Sequence, residues 1–273
     1  MLRQRILTAV PLALGVLALI WQAPAAWVQI VMAAAMLVGA GEWADLSGYR
    51  RPSLKLAYAG VVAALLGLAA LVDLPAQAGW RVPGVLWWLA IGVWLIYQAR
   101  RSAPAPLPGW LRGGAGLITL TLAWVSVAAI HGQPEVGPLW LTVLVVLVWG
   151  ADIGGYFAGR RYGRHKLAPS ISPGKTWEGV VGGLALAMAL VISLRAITGG
   201  VYAGLPGYGW LIAVAVMVVL FSVVGDLSES VLKRQAGRKD SGRLLPGHGG
   251  LLDRIDALLA AAPVLAAALV SVP

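Results

Sequence analysis

Cysteine is missing altogether, which excludes disulfides and thiolate-held metals. Charge is scarce. Asp, Glu, Lys and Arg make up 12% of the 273 residues, against 59% hydrophobic, and the mean hydropathy is +0.81. That balance excludes an ordinary soluble domain and describes a membrane protein. The apolar segments leave no room for a separate soluble domain, and neither a soluble linker nor a strong internal repeat is visible. Acidic residues are the scarcer sign, 11 against 21 Lys and Arg. The net charge of +10 would suit nucleic acid, but in a chain this apolar, excess Lys and Arg mark cytoplasmic loops, and no nucleic-acid partner is expected.

What is present is a series of nine apolar segments, near residues 6–21, 26–40, 56–72, 82–97, 113–130, 139–158, 180–197, 210–224 and 251–272. They predict an all-α, polytopic integral membrane protein of about nine transmembrane helices. Several segments are shorter than the ~20 residues that cross a bilayer, so the helices should extend into flanking polar residues. With the N-terminus in the cytoplasm, all of the 21 Lys and Arg except Arg81 and Arg195 fall on the inner side. The opposite orientation inverts the ratio, so the expectation is N-terminus inside and C-terminus outside. The N-terminal segment imitates a signal peptide but is expected to stay as the first helix. Tryptophans near segment ends, among them Trp21, Trp80, Trp140 and Trp210, read as interfacial anchors. Gly179, Gly182 and Gly183 suit close helix packing.

Chemistry concentrates in two polar stretches. The first covers residues 225–256. There Asp226, Glu229, Asp240, Asp253 and Asp256 alternate with Lys233, Arg234, Arg238, Lys239, Arg243 and Arg254. Carboxylates beside cations suit a polyanionic substrate delivered with a divalent metal. Gly247, Gly249 and Gly250 let backbone approach a phosphate. Asp226 ends the eighth segment and Asp253 opens the ninth, where it also suits a helix cap or an ion pair with Lys233 or Arg254. Asp256 lies three residues beyond Asp253, as a further ligand or an orienting group. Asp240 fits a surface ion pair almost as well as a substrate contact. His248 fits a phosphate contact and a plain loop residue equally.

The second stretch covers residues 152–178 and contains Ser172-Pro-Gly-Lys175-Thr176-Trp177-Glu178. Its GKT imitates the end of a Walker A motif, but the required glycine is Pro169 and no strand is expected before it. Ser172, Lys175 and Thr176 suit phosphate binding at a helix N-terminus, and Ser172 and Thr176 suit capping. Asp152 and Tyr156 lie one turn apart on the sixth segment. Glu42 and Asp45 read as interfacial, and the first five segments offer no other chemistry.

These residues carry a resemblance. Ser230-Val-Leu-Lys233-Arg234, Lys239-Asp240-Ser-Gly and Leu245-Pro246-Gly-His248-Gly249-Gly250-Leu-Leu-Asp253-Arg254-Ile-Asp256 resemble the signature of the phosphatidate cytidylyltransferase, or CDP-diacylglycerol synthase, family, without departure from it. The 172–178 segment is similar to that family's SPxKTxEG. The resemblance implies conversion of CTP and phosphatidic acid to CDP-diacylglycerol and pyrophosphate. It implies that Asp226 and Asp253 bind Mg²⁺, one ion or two, and that Asp226, Asp253, Lys233 and Asp256 are catalytic. It further implies that Ser172, Lys175, Thr176, Ser230, Arg234, Lys239, Asp240, His248, Gly249, Gly250 and Arg254 bind substrate, and that Asp152 faces the polar cavity. Residues 1–135 then form scaffold helices and 136–273 the catalytic helices of one continuous membrane domain. A homodimer in the inner membrane, in contact with membrane lipids, is expected. A relative acting on another lipid, and a transporter, are the competing readings. A transporter keeps its ionisable residues near the bilayer midplane rather than at one face.

Overall fold

The computed structural model describes residues 2–199, 206–244 and 249–271. Among them are nine α-helices: α1 (Leu2–Gln22), α2 (Ala25–Leu46), α3 (Pro52–Leu71), α4 (Arg81–Ala99), α5 (Gly109–His131), α6 (Gly137–Tyr162), α7 (Trp177–Thr198), α8 (Tyr208–Gln235) and α9 (Leu252–Ala268). Each matches one apolar segment. Seven of them, α2 to α8, are long and apolar enough to span a membrane. The architecture is therefore all-α and polytopic. Helices are the natural outcome in lipid, where every backbone polar group must be paired inside the segment.

Outward faces of α2, α3 and α4 carry exposed Ile30, Val31, Leu56, Leu68, Val82 and Val93, a surface suited to lipid. α9 lies at the centre, against α4, α5, α6 and α8, and residues 259–266 are all buried. α6 and α7 touch backbone to backbone. A Cβ on Gly154 would lie 2.5 Å from Gly182 O, and one on Gly183 2.5 Å from Ala151 O. The expected close packing of Gly182 and Gly183 is there. Two of the tryptophans expected at the interface are core residues instead. Trp140 is 3% exposed and packs edge-on against Trp210, and Trp80 is 7% exposed.

One element was not anticipated. Between α6 and α7 the chain forms an antiparallel hairpin, β1 (Lys166–Ala168) and β2 (Ser172–Thr176). A strand does precede α7, contrary to expectation, but Gly174 and Lys175 lie within it rather than in a phosphate loop, and Pro169 remains the disqualifying residue. Ala168 and Ile171, 2% and 0% exposed, dock on Leu227 and Val231 of α8 and Leu95 of α4. Arg234 Nε donates to Ile171 O at 3.2 Å.

The cation-rich connections meet at one end of the bundle. Lys55 of α3 pairs with Asp45 of α2 at 2.6 Å, and Arg112 of α5 donates to Leu46 O at 2.7 Å. Gln235 at the end of α8 donates to Ala105 O between α4 and α5 at 2.5 Å. The hairpin and the segment after α8 close the same end.

Candidate active site at the polar end of the bundle

Asp226 does not end its helix. α8 continues to Gln235, because Leu227, Val231 and Leu232 bury beyond it. At 1.5 Å per residue, Asp226 is recessed about 14 Å from that end. α8 and α9 cross at Gly225, where a Cβ would lie 3.2 Å from Ala257 Cα. The crossing brings Asp226 beside Asp256. The docked hairpin brings Lys175 in from the other side, and its Nζ lies 2.5 Å from Asp226 Oδ2. The two polar stretches, about fifty residues apart in sequence, thus meet in one ion pair. Ser230 Oγ donates to Asp226 Oδ1 at 3.3 Å.

Glu229 and Lys233 follow Asp226 on one face of α8, at the i+3 and i+7 positions. Lys233 Nζ lies 2.7 Å from Asp253 Oδ1 and 3.4 Å from Glu229 Oε2. Asp253 Oδ2 accepts from Ser241 N at 2.9 Å and Gly250 N at 2.8 Å, with Ser241 Oγ at 3.0 Å. Of the alternatives raised for Asp253, the Lys233 ion pair is realised, whereas its carboxylate holds the backbone before α9 and does not cap the helix. Glu229 was not among the expected site residues. It is 1% exposed, and neither oxygen has a well-formed hydrogen bond; its neighbours are Lys233 and the carboxyl of Asp256. The signal was available, since a carboxylate on the apolar face of a spanning helix is expensive to keep.

Asp152 of α6 lies within electrostatic reach of Asp226, Lys175 and Arg254. It is accessible although protein crowds around it, as for a side chain lining a crevice. Tyr156, one turn on, instead faces outward and accepts from Arg160 at 2.8 Å. Asp152, Asp226, Glu229, Asp253 and Asp256 form one group with the three cations Lys175, Lys233 and Arg254. Five carboxyl groups stand against three cations, and Glu229 and Asp256 face each other closely enough to share a proton. The buried Glu229 oxygens, which lack a well-formed hydrogen bond, and the excess of carboxyl groups over cations fit a hard divalent cation, which takes oxygen ligands. Among the described residues no three His, Cys, Asp or Glu side chains converge on one ready-made point. Asp226 and Asp253 are each held by a lysine ammonium, from Lys175 and Lys233 respectively.

Other expected residues spread around this centre. Thr176 is 4% exposed and its hydroxyl caps α7, accepting from Gly179 N at 3.1 Å. Ser172 opens β2, half-buried, and Arg234 holds the hairpin. Lys239 and Asp240 are exposed and line a cavity of about 780 Å³ together with Glu42, Lys55, Arg238 and Ser241. Gly249 has φ +79°, which glycine adopts freely. Leu245, Pro246, Gly247 and His248 lie outside the described residues. Glu42 and Asp45, assigned to the interface, belong to the site's surroundings: Glu42 accepts from Leu251 N and Leu252 N, both at 2.9 Å, and Ser241 Oγ lies 2.9 Å from its Oε2. A small apolar crevice between α6, α7 and α8, lined by Leu139, Val143 and Val191, lies at the opposite end and away from this chemistry.

A polar end with this arrangement can be compared with known proteins. The family model described as "Cytidylyltransferase family" matches residues 3–272. The chain belongs to the cytidylyltransferase family. It is 44% identical to a phosphatidate cytidylyltransferase of Pseudomonas aeruginosa over 274 residues, covering 98% of this chain and 97% of that one. It is 34% identical to the Haemophilus influenzae phosphatidate cytidylyltransferase, over 96% of both chains. A Brucella suis protein of the same name is 37% identical over 97% of this chain and 92% of its own. Family membership thus spans the first five helices as well as the motifs, and the chain is an enzyme of this family. The competing transporter reading falls with it.

Proposed function

We propose that the protein transfers the cytidylyl group of CTP to phosphatidate, forming CDP-diacylglycerol and pyrophosphate. The observation that carries this reading is the meeting of Lys175 with Asp226, which joins a phosphate-binding type of segment to the carboxylate group at one end of a membrane bundle. The names of the relatives supply the substrates. A phosphatidate oxygen attacks the α-phosphorus of CTP, and the bond from that phosphorus to the bridging oxygen breaks as pyrophosphate leaves. The attacking monoester is already an oxyanion near neutral pH, so no strong general base is needed.

Lys175 exchanges Asp226 for a substrate phosphate, and Lys233 and Arg254 neutralise charge on the transferring and leaving groups. Asp226 and Asp253 would hold Mg²⁺, with Glu229 and Asp256 beside them. When bound, the ion supplies Lewis-acid stabilisation of phosphoryl oxygens. Ser230 and the Ser241 amide orient the two aspartates. Lys239 and Asp240 line a cavity whose volume suits a nucleotide. Residues 1–135 supply scaffold and residues 136–273 most of the catalytic groups. The acyl chains stay in the bilayer while the headgroup reaches the polar end, placed at the cytoplasmic face of the inner membrane, with the N-terminus inside. We assign a homodimer, checked by the mass of the purified protein.

The test is pyrophosphate release by purified protein from CTP with phosphatidate, beside other lipid phosphates. Release confined to a different lipid phosphate would replace phosphatidate and keep the transfer. No release with any of them would end the proposal.

A further inference from the structure

Residues 242–250 span the gap between Ser241 and α9, and one side chain from outside holds both ends. Glu42 comes from α2. Its Oε1 accepts from Leu251 N at 2.9 Å, and its Oε2 accepts from Leu252 N at 2.9 Å with Ser241 Oγ also at 2.9 Å. Leu251, the residue just before α9, offers no capping side chain. A helix N-terminus has free N–H groups and favours a carboxylate, so Glu42 supplies from α2 what α9 lacks.

Glycines at both ends leave room for that carboxylate. A Cβ on Gly242 would collide with it, and one on Gly250 would lie 2.5 Å from Oε2 and 2.6 Å from Oε1. Contact with the site is equally direct. The Ser241 hydroxyl that touches Glu42 lies 3.0 Å from Asp253 Oδ2, and Asp253 Oδ1 holds Lys233.

We infer that Glu42 is a positioning residue for the transfer reaction: it ties the two ends of the 242–250 segment together and, through Ser241, orients the Asp253 carboxylate towards Lys233. This rests on the cytidylyl-transfer reading and adds to it a residue of the scaffold half. Glu42 touches no reacting atom. A bare helix cap would affect stability alone, whereas a positioning residue changes turnover by the folded enzyme.

The experiment uses the full chain, purified, as wild type, Glu42→Gln, Glu42→Ala, Ser241→Ala and the Glu42→Gln/Ser241→Ala double variant. Readouts are kcat and KM for CTP from pyrophosphate release, thermal unfolding, and the rate of tryptic cleavage after Lys239 or Arg243. Glutamine keeps the volume but replaces one acceptor oxygen by an amide that cannot accept. Glu42→Gln should lower kcat/KM at least about tenfold, the scale of one hydrogen bond to a charged group, with the folded fraction and Tm retained and cleavage faster than in wild type. The double variant should be no worse than the poorer single, since both act through one connection. Glu42→Ala should be poorer still; if it does not fold, the Gln and Ser241 variants carry the test. Wild-type kcat/KM in Glu42→Gln, a loss matched by unfolded protein alone, or additive losses in the double variant overturn the inference. Wild type without CTP-dependent release would end the transfer reading; unchanged tryptic cleavage in Glu42→Gln overturns the positioning role whatever the activity.

Discussion

Replacing Lys175 separates the proposed phosphate donor from the metal ligands. The ammonium lies 2.5 Å from Asp226, and the two side chains are 26% and 27% exposed. A pair this accessible contributes about 1 kcal/mol or less to stability after desolvation and screening. Lys175→Ala or Lys175→Met should therefore fold, with little change in Tm. Loss of a cation aimed at developing phosphoryl charge costs about 2.7–4 kcal/mol, or roughly 10²–10³ in turnover. The Mg²⁺ dependence moves the other way. The ammonium competes with any cation for Asp226, so its removal should leave the half-saturating Mg²⁺ concentration unchanged or lower. Pyrophosphate release across a Mg²⁺ titration at saturating CTP reads both numbers. Turnover within about threefold of wild type, or a raised Mg²⁺ requirement, would refute the reasoning, since the first removes Lys175 from the substrate and the second makes it a support for the metal site.

Asp226→Asn should leave a folded protein and cut turnover roughly a thousandfold or more, the scale expected for a lost metal-bound carboxylate; near-normal turnover at saturating Mg²⁺ would remove it from the centre. Ile171→Ala should undock the hairpin from Leu227 and Val231 and lower turnover by misplacing Lys175, although Ile171 belongs to no motif; a normal rate with a flexible hairpin, seen by proteolysis, would count against the docking argument. For topology, Ser241 is 1% exposed and a side chain at Gly199 would meet Arg195, so both are poor labelling sites, whereas Gly174 and Gly207 have open space. Cysteine at 174 should react with an impermeant thiol reagent only from the cytoplasmic side and cysteine at 207 only from outside; the reverse would invert the orientation.

The nine helices were legible because lipid imposes a single solution on each apolar run. Their ends were less so. Hydropathy falls at Gly225, but α8 persists for another ten residues because Leu227 and Val231 find partners on the hairpin and α4, and Leu232 joins the main core. That extension changes Asp226 from a helix terminus to a recessed group. The hairpin was missed because strands of three and five residues show no usable alternation, and only burial of Ala168 and Ile171 fixes them. Glu42 was missed for a different reason. Its partners lie about two hundred residues away, and the only local signal was the cost of a carboxylate in an apolar helix. That Lys175 and Asp226 lie at one end was legible, because charge in the connections, unlike side-chain pairing, is written into the sequence.

The excess of carboxyl groups over cations has a consequence for the order of binding. CTP and phosphatidate each bring further negative charge to a group where five carboxyl groups already outnumber three cations. At about 8 Å and an effective dielectric constant of about 20, each added like-charge pair costs about 2 kcal/mol. Lys175 and Lys233 cannot offset this alone, because each is already held by an aspartate at 2.5 and 2.7 Å. The nucleotide is therefore expected to arrive with a divalent cation or after one. Titration calorimetry of the purified protein with CTP should show affinity falling at least about tenfold when Mg²⁺ is replaced by EDTA, equivalent to 1.4 kcal/mol. Asp226→Asn, which removes one of the repelling charges, should narrow that difference by raising the affinity seen in EDTA. Equal affinity for CTP with and without Mg²⁺ would mean that the nucleotide sits away from the carboxylate group, leaving the Lys239 and Asp240 cavity as its whole site.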